Sequence, residues 1–150
     1  MTDVLLPLAL LYADGRSEIR GATKLQKLAF LAQEEYGVEE LHEFEPDRYG
    51  PFSESLAGTV NALEQKGFVE KREEQVPGGS EILVYSLTDE GAKLVEALLR
   101  EQEGLERVLG SVEELKRDLG DKTIDRVLRQ VYKTYPQYTT ESGLNSAEGA

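Results

Sequence analysis

Cysteine and tryptophan are absent from these 150 residues, and histidine occurs once, at His42. Without thiols there is no disulfide, no zinc–thiolate centre and no cysteine nucleophile, and a reducing cytoplasm is the expected compartment. Long apolar runs are missing too. The apolar stretch Val4 to Ala13 follows Asp3, has no basic leader and is too short to cross a bilayer. It reads as a buried first helix, and no membrane partner is expected. Positive charge is scarce: 17 basic residues stand against 29 acidic ones, a net charge of -12. The deficit is even, with 10 acids and 5 bases in residues 1–50, 9 and 5 in 51–100, and 10 and 7 in 101–150. No part of the chain offers the concentrated positive footprint that a polyanion needs, so the charge disfavours DNA as partner. Acidic excess of this kind serves solubility, and a salt-rich cytoplasm is a second source for it.

What the chain does contain is organised around Gly21 to Gly67. Leu25, Leu28, Ala29, Ala32 and Tyr36 recur at helical period, and Phe30 and Leu31 widen the face, so this helix is expected to be buried on more than one side. Thr23 is the expected N-cap and Gly37 the left-handed residue after the end. Gly50-Pro51 cannot continue a helix. Ser53 then caps a second helix with Leu56, Val60 and Leu63 as its buried stripe, closed by Gly67. Between the two lies an acidic link with Leu41 and Phe44 as buried points and a short strand over 44–49. The motif Tyr49, Gly50, Pro51, Phe52 and Ser53 is read as structural, setting the angle at which the second helix leaves.

Upstream, Leu5, Leu8, Ala9 and Tyr12 share one face of a first helix that Asp14-Gly15 ends, followed by a polar connector anchored by Ile19. Downstream, Phe68 and Val69 begin a strand, Pro77-Gly78-Gly79-Ser80 is a turn, and Ile82 to Leu87 is the return strand of a hairpin. Thr88 caps the next helix. Leucines and valines from Leu94 to Leu119 form one bent helix or two, since Gly104 and Gly110 interrupt them. Asp121 is the expected cap of a last helix with a stripe from Ile124 to Tyr135, stopped by Pro136. The fold class predicted is mainly α with a small β-hairpin, a winged helix-turn-helix extended by C-terminal helices. One domain is expected over 1–136, with a flexible tail over 137–150. The apolar C-terminal stripes are expected either to close over the core or to form a homodimer face.

Chemistry is thinly represented. His42 falls in an acidic loop expected to be exposed, and a Ser/His/Asp set with Ser53 and Asp47 lacks any nucleophile-elbow pattern. Glu39, Glu40 and Glu43 are close in sequence without a calcium-loop pattern, and no phosphate-binding glycine loop occurs. No catalytic, cofactor-binding or metal residue is therefore assigned. The candidate contacts to a partner or to DNA are Lys24, Lys27, Arg48, Asn61, Gln65, Lys71 and Arg72. Asn61 and Gln65, with Glu54, Ser55, Thr59, Glu64 and Lys66, belong to the expected exposed face of the second helix. Lys71 and Arg72 lie in the hairpin, and Arg16 and Arg20 extend the basic set.

Thr23-Lys24-Leu25-Gln26-Lys27-Leu28, Arg48-Tyr49-Gly50-Pro51-Phe52-Ser53 and Tyr85-Ser86-Leu87-Thr88-Asp89-Glu90-Gly91, in this helical frame, resemble the prokaryotic SocA-like (Panacea) antitoxin domain and the related YwgA-like proteins. The closing Val131-Tyr132-Lys133-Thr134-Tyr135-Pro136-Gln137-Tyr138-Thr139 looks more like the YwgA-like branch. The likeness covers about residues 4–140. It implies a non-enzymatic module that acts by binding another protein directly, a toxin among the partners implied. The alternative class is a DNA-binding transcriptional regulator acting as a dimer, and an enzyme is the third.

Overall fold

The apolar run near the start of the chain becomes the central helix. The computed structural model describes residues 2–47, 50–101 and 103–138. After a 3-10 turn at Thr2–Val4, α1 (Leu5–Arg16) buries Leu6, Leu8, Leu10 and Leu11 completely. It is apolar all round because neighbours cover every side. Helical geometry stops at Tyr12, just before the Asp14-Gly15 stop that the sequence predicts: Asp14, Gly15 and Arg16 take φ of 59°, 63° and 61°. Two of these are not glycine, so the turn is strained and must be held by its surroundings.

The polar connector then makes a two-residue strand, β1 (Ile19–Arg20), with Ile19 buried as expected. Gly21, at φ 111°, turns the chain into α2 (Ala22–Glu35). The cap lies two residues earlier than expected, so Thr23 lies inside the first turn and does not cap it; the capping position is Gly21, which has no side chain to accept with. Every residue from Lys24 to Ala32 is buried. Phe30 meets Phe44, Tyr135 and Tyr138 edge-on, with ring centroids 5.4, 5.0 and 4.8 Å away. Tyr138 belongs to a 3-10 turn, Pro136–Tyr138. The packed domain therefore continues past the expected boundary at 136, because an aromatic anchor follows the proline. The remainder of the expected tail, 139–150, lies outside the described residues.

The expected strand after the acidic link is β2 (Glu45–Asp47), and it pairs antiparallel with β3 (Gly50–Phe52). Gly50 has φ 103°, and a Cβ there would lie 3.2 Å from the Tyr132 ring, so the position needs glycine twice over. Ser53 caps α3 (Glu54–Gln65) as predicted, its Oγ accepting from Leu56 N at 3.1 Å. Its own peptide is clamped by the Gln26 side chain, which accepts from Ser53 N at 2.8 Å and donates to Ser53 O at 3.0 Å. Thus α2 sets the angle of α3 through side chains that helical periodicity alone would place among solvent-facing residues.

The hairpin forms as read, with β4 (Val69–Gln75) against β5 (Glu81–Leu87). Its inner strand also pairs with β1, giving the antiparallel order β1-β5-β4. Thr88 Oγ1 accepts from Gly91 N at 3.0 Å at the start of α4 (Asp89–Glu101). The C-terminal stripe resolves into α4 and α5 (Glu103–Leu119), and α5 runs through Gly110 unbroken. Thr123, not Asp121, caps α6 (Ile124–Thr134), accepting from Arg126 N at 3.3 Å. Asp121 sits in the preceding turn, too early for the reach of a cap. The stripe residues Leu105, Val112 and Leu115 are fully buried as α5 packs along α1, and Val127 and Val131 are fully buried as α6 packs on α2. The C-terminal helices thus close over the core. Among the described residues no helix is long and apolar enough to cross a membrane.

The strained end of α1 is held by two charges from α5. Asp14 N donates to Glu113 Oε1 at 2.9 Å rather than to the carbonyl four residues back. That carbonyl, Leu10 O, is left open and accepts from Lys116 Nζ at 2.7 Å. Lys116 also donates to Ala13 O at 3.0 Å and Ser17 O at 2.8 Å. Burial and, against it, the Asp14 and Glu113 carboxylates set the Lys116 pKa at about 8. Three carbonyls match the three N–H groups of an ammonium, so the cage fits the charged form. Lys116→Met is expected to cost about 3 kcal/mol or more, because it strands two buried acceptors and a third that is partly buried. Glu113→Gln keeps an acceptor for Asp14 N and should cost under about 1.5 kcal/mol. Urea unfolding midpoints at constant m measure both. Ser53→Ala, through the lost cap, should cost about 1 kcal/mol in the same assay.

Candidate functional site

The surface built by α3 and the hairpin carries most of the residues nominated from the sequence. Asn61 and Gln65 are exposed on α3. Lys71, on β4, crosses to α3, where it donates to Asn61 Oδ1 and lies 3.3 Å from Glu64. Arg72 makes a two-pronged contact with Glu18 at 3.0 and 3.2 Å and a third with Glu74 at 3.0 Å. These bonds raise the Arg72 pKa, and those from Arg20 and Arg72 lower that of Glu74. Arg20 is paired with Glu74 and Glu18. Arg16 lies 3.3 Å from Asp89 and donates to Leu87 O at 2.8 Å. Lys71 and Arg72 therefore do not join the other nominated cations in one positive patch; each is answered by an acid of this chain. Thr59, expected on the exposed face, is buried and donates to Asp3 Oδ2 at 3.3 Å.

Lys24 and Lys27 are displaced further from the expected surface. Both are buried. Lys24 donates to Gly120 O at 2.6 Å, at the end of α5, and Lys27 to Pro51 O at 2.6 Å, in β3. Burial lowers the pKa of each, offset in part by Asp121 for Lys24 and by Asp47 for Lys27, and brings Lys27 to about 8. Each ties α2 to a segment distant in sequence. Arg48 and Tyr49, from the nominated contacts and the structural motif, lie outside the described residues.

A different cluster forms at the start of α3, and sequence reasoning missed it. His42 was expected in an exposed loop, yet it is only 2% exposed. The loop is clamped because the Gln33 side chain accepts from Leu41 N and His42 N, at 3.1 and 2.9 Å, and donates to His42 O at 2.9 Å. The ring then spans two elements, with Nδ1 2.7 Å from Ser55 Oγ and Nε2 2.8 Å from Asp3 O. Burial lowers the His42 pKa, and the Asp3 carbonyl and carboxylate partly restore it. Ser53 Oγ stands 3.1 Å from Ser55 Oγ. The serine that meets the histidine is thus Ser55, not Ser53, and the aspartate beside it is Asp3, not Asp47. The three positions span residues 3 to 55, with no spacing rule to connect them.

On another side, a cleft of about 800 Å³ opens between the start of α2, the turn end of the hairpin and the α5–α6 turn. Ile82, Leu83 and Leu128 supply apolar lining, and Arg20, Lys122 and Asp121 are its charged members. Volume and lining lie in the range of ligand and side-chain pockets.

Lys27 makes a pH prediction. Its folded pKa, about 8, lies below its ordinary 10.5. Between those values the unfolded chain binds more protons than the folded one, so stability rises with pH across the window. The rise attributable to Lys27 from pH 8 to 10 should be on the order of 2 kcal/mol, read as the difference between wild type and Lys27→Met in urea unfolding at each pH. Above pH 10 the raised pKa of Tyr135, about 12, works the other way.

Comparison with protein-family models and with curated proteins finds no match for this chain.

Proposed function

We propose that this protein is a winged-helix interaction module that acts by binding another protein directly, as the likeness to SocA-like (Panacea) and YwgA-like proteins implies. The order of elements supports the winged-helix reading. In this reading, the order α1, β1, α2, the short β2–β3 pair, α3 and then a hairpin whose inner strand pairs with β1 supports α3 as the presenting helix and β4–β5 as the wing.

The observation that carries the choice of a protein over DNA is the internal use of cations. Lys71 and Arg72 are held by Glu64, Glu18 and Glu74, and Lys24 and Lys27 are turned to backbone carbonyls. A duplex laid on α3 and the wing would have to break the first two pairs and would face Glu54, Glu70 and Glu73, all exposed. Few counterions would be released in return. A protein partner makes no such demand, and the apolar-lined cleft beside the hairpin provides concave surface of the kind that side-chain anchors fill.

Two measurements separate the classes. A duplex from the protein's own upstream region should bind weakly at physiological salt in a gel-shift series. A steep salt slope that falls by about two units in the Lys71→Ala, Arg72→Ala double variant would establish the dimeric regulator instead. The product of the adjacent gene, a toxin in the reading implied by resemblance, should bind with little salt dependence. Ile82→Asp and Leu128→Asp should each weaken that complex roughly tenfold or more in calorimetry.

A further inference from the structure

The cluster at the start of α3 has the parts of a nucleophilic site. A carbonyl oxygen can only accept, so the 2.8 Å contact between His42 Nε2 and Asp3 O assigns the ring proton to Nε2. Nδ1 then presents its lone pair, and the Ser55 hydroxyl, 2.7 Å away, donates to it. A base whose second nitrogen is fixed by an acceptor is the arrangement that activates a hydroxyl. Exposure is divided as such chemistry requires: the imidazole is 2% exposed, while Ser55 faces solvent. Burial also keeps His42 below its ordinary pKa, neutral and able to accept at pH 7. The Asp3 carboxylate, near enough to raise that pKa, favours the imidazolium once it forms.

We propose that Ser55 is a nucleophile for acyl transfer, with His42 as its general base, and that small activated carboxylic esters acylate it. Ser55 Oγ attacks the ester carbonyl carbon, and its proton passes to His42 Nδ1 as the O–C bond forms. The carbonyl oxygen takes the negative charge beside the first turn of α3, where Leu56 N is already given to the Ser53 cap and the N–H groups of Glu54 and Ser55 precede the first helical hydrogen bond. The bond to the leaving oxygen then breaks, and His42 Nδ1 returns the proton to it, leaving acyl-Ser55 and a neutral ring. Water, deprotonated by the same nitrogen, reverses the sequence and releases the carboxylic acid. Because Ser55 opens directly to solvent, the acyl group alone is recognised and the substrates are short-chain esters. This capability stands whether or not the α3 surface binds a partner.

Acetylation by p-nitrophenyl acetate, followed by peptide mapping, tests it. The expected result is an acetyl group on Ser55, lost in Ser55→Ala, at a rate that levels off from about pH 7 to 9 as a neutral histidine base predicts. His42→Asn should slow acetylation of Ser55 by roughly 100-fold or more. Acetyl on other residues with none on Ser55 would overturn the proposal, as would an unchanged rate in folded His42→Asn. If His42→Asn fails to fold by circular dichroism, the wild-type pH profile decides. A plateau supports the base, and a rate climbing about tenfold per pH unit to pH 10, as for an unassisted alcohol, refutes it.

Discussion

The ammonium of Lys116, held by the carbonyls of Leu10, Ala13 and Ser17, is the contact on which the rest of the structure depends. It exists because α1 does not end in a regular way. The chain leaves the helix through three consecutive left-handed residues, which frees carbonyls from the regular helical ladder. A cation from a helix about a hundred residues later satisfies them, and Glu113 on the same helix takes the freed Asp14 N–H. The turn places Ile19 and Arg20 beside β5 and so starts the three-stranded sheet. One buried charge thereby links the packing of α5 on α1 to the position of the hairpin.

The same device recurs twice on α2. Lys27 fastens β3, Lys24 fastens the end of α5, and Gln26 between them holds the peptide of Ser53. A lysine that donates to a carbonyl gives a charged hydrogen bond without burying an anion, so it avoids the paired desolvation of a salt bridge. With α2 buried from Lys24 to Ala32, its polar side chains have become internal connectors. This use of cations also shapes the surface. The bases withdrawn into the interior, together with those paired on the hairpin, leave a strongly acidic chain without a positive face on α3, and that absence of field is the physical basis for preferring a protein partner.

The start of α3 joins structure to chemistry. Ser53 caps the helix, Ser55 follows it, and His42 crosses from the clamped loop to reach Ser55 while its other nitrogen rests on the Asp3 carbonyl. Three hydroxyls and one imidazole, with Thr59 on the Asp3 carboxylate, form a connected polar group where the N-terminal turn, the acidic link and α3 converge. Such a network makes each orientation depend on the others. The result is a histidine with its proton placed and a serine whose hydroxyl points to a defined acceptor.

Local signals in the amino-acid sequence determined most of the elements: the leucine stripe of α3 and its Ser53 cap, the Asp14-Gly15 stop, the Pro77 to Ser80 turn between two β-rich runs, and the Thr88 cap. Each follows from period or from the conformational needs of single residues, which neighbours in sequence suffice to express. The caps expected at Thr23 and Asp121 each lie two residues from the observed ones, because backbone geometry at Gly21 and Thr123, set by the preceding turns, chose the start. Only the tertiary structure decided where the charges went. Lysines at 24, 27 and 116 look like solvated surface by composition, and become buried once carbonyls from 24 to 106 residues away supply acceptors. His42 likewise gains its role from Gln33, Ser55 and Asp3 together. A pattern along the chain records which face is apolar. It does not record which distant backbone groups lack partners, and it is those groups that fixed the place of every buried lysine and of the one histidine.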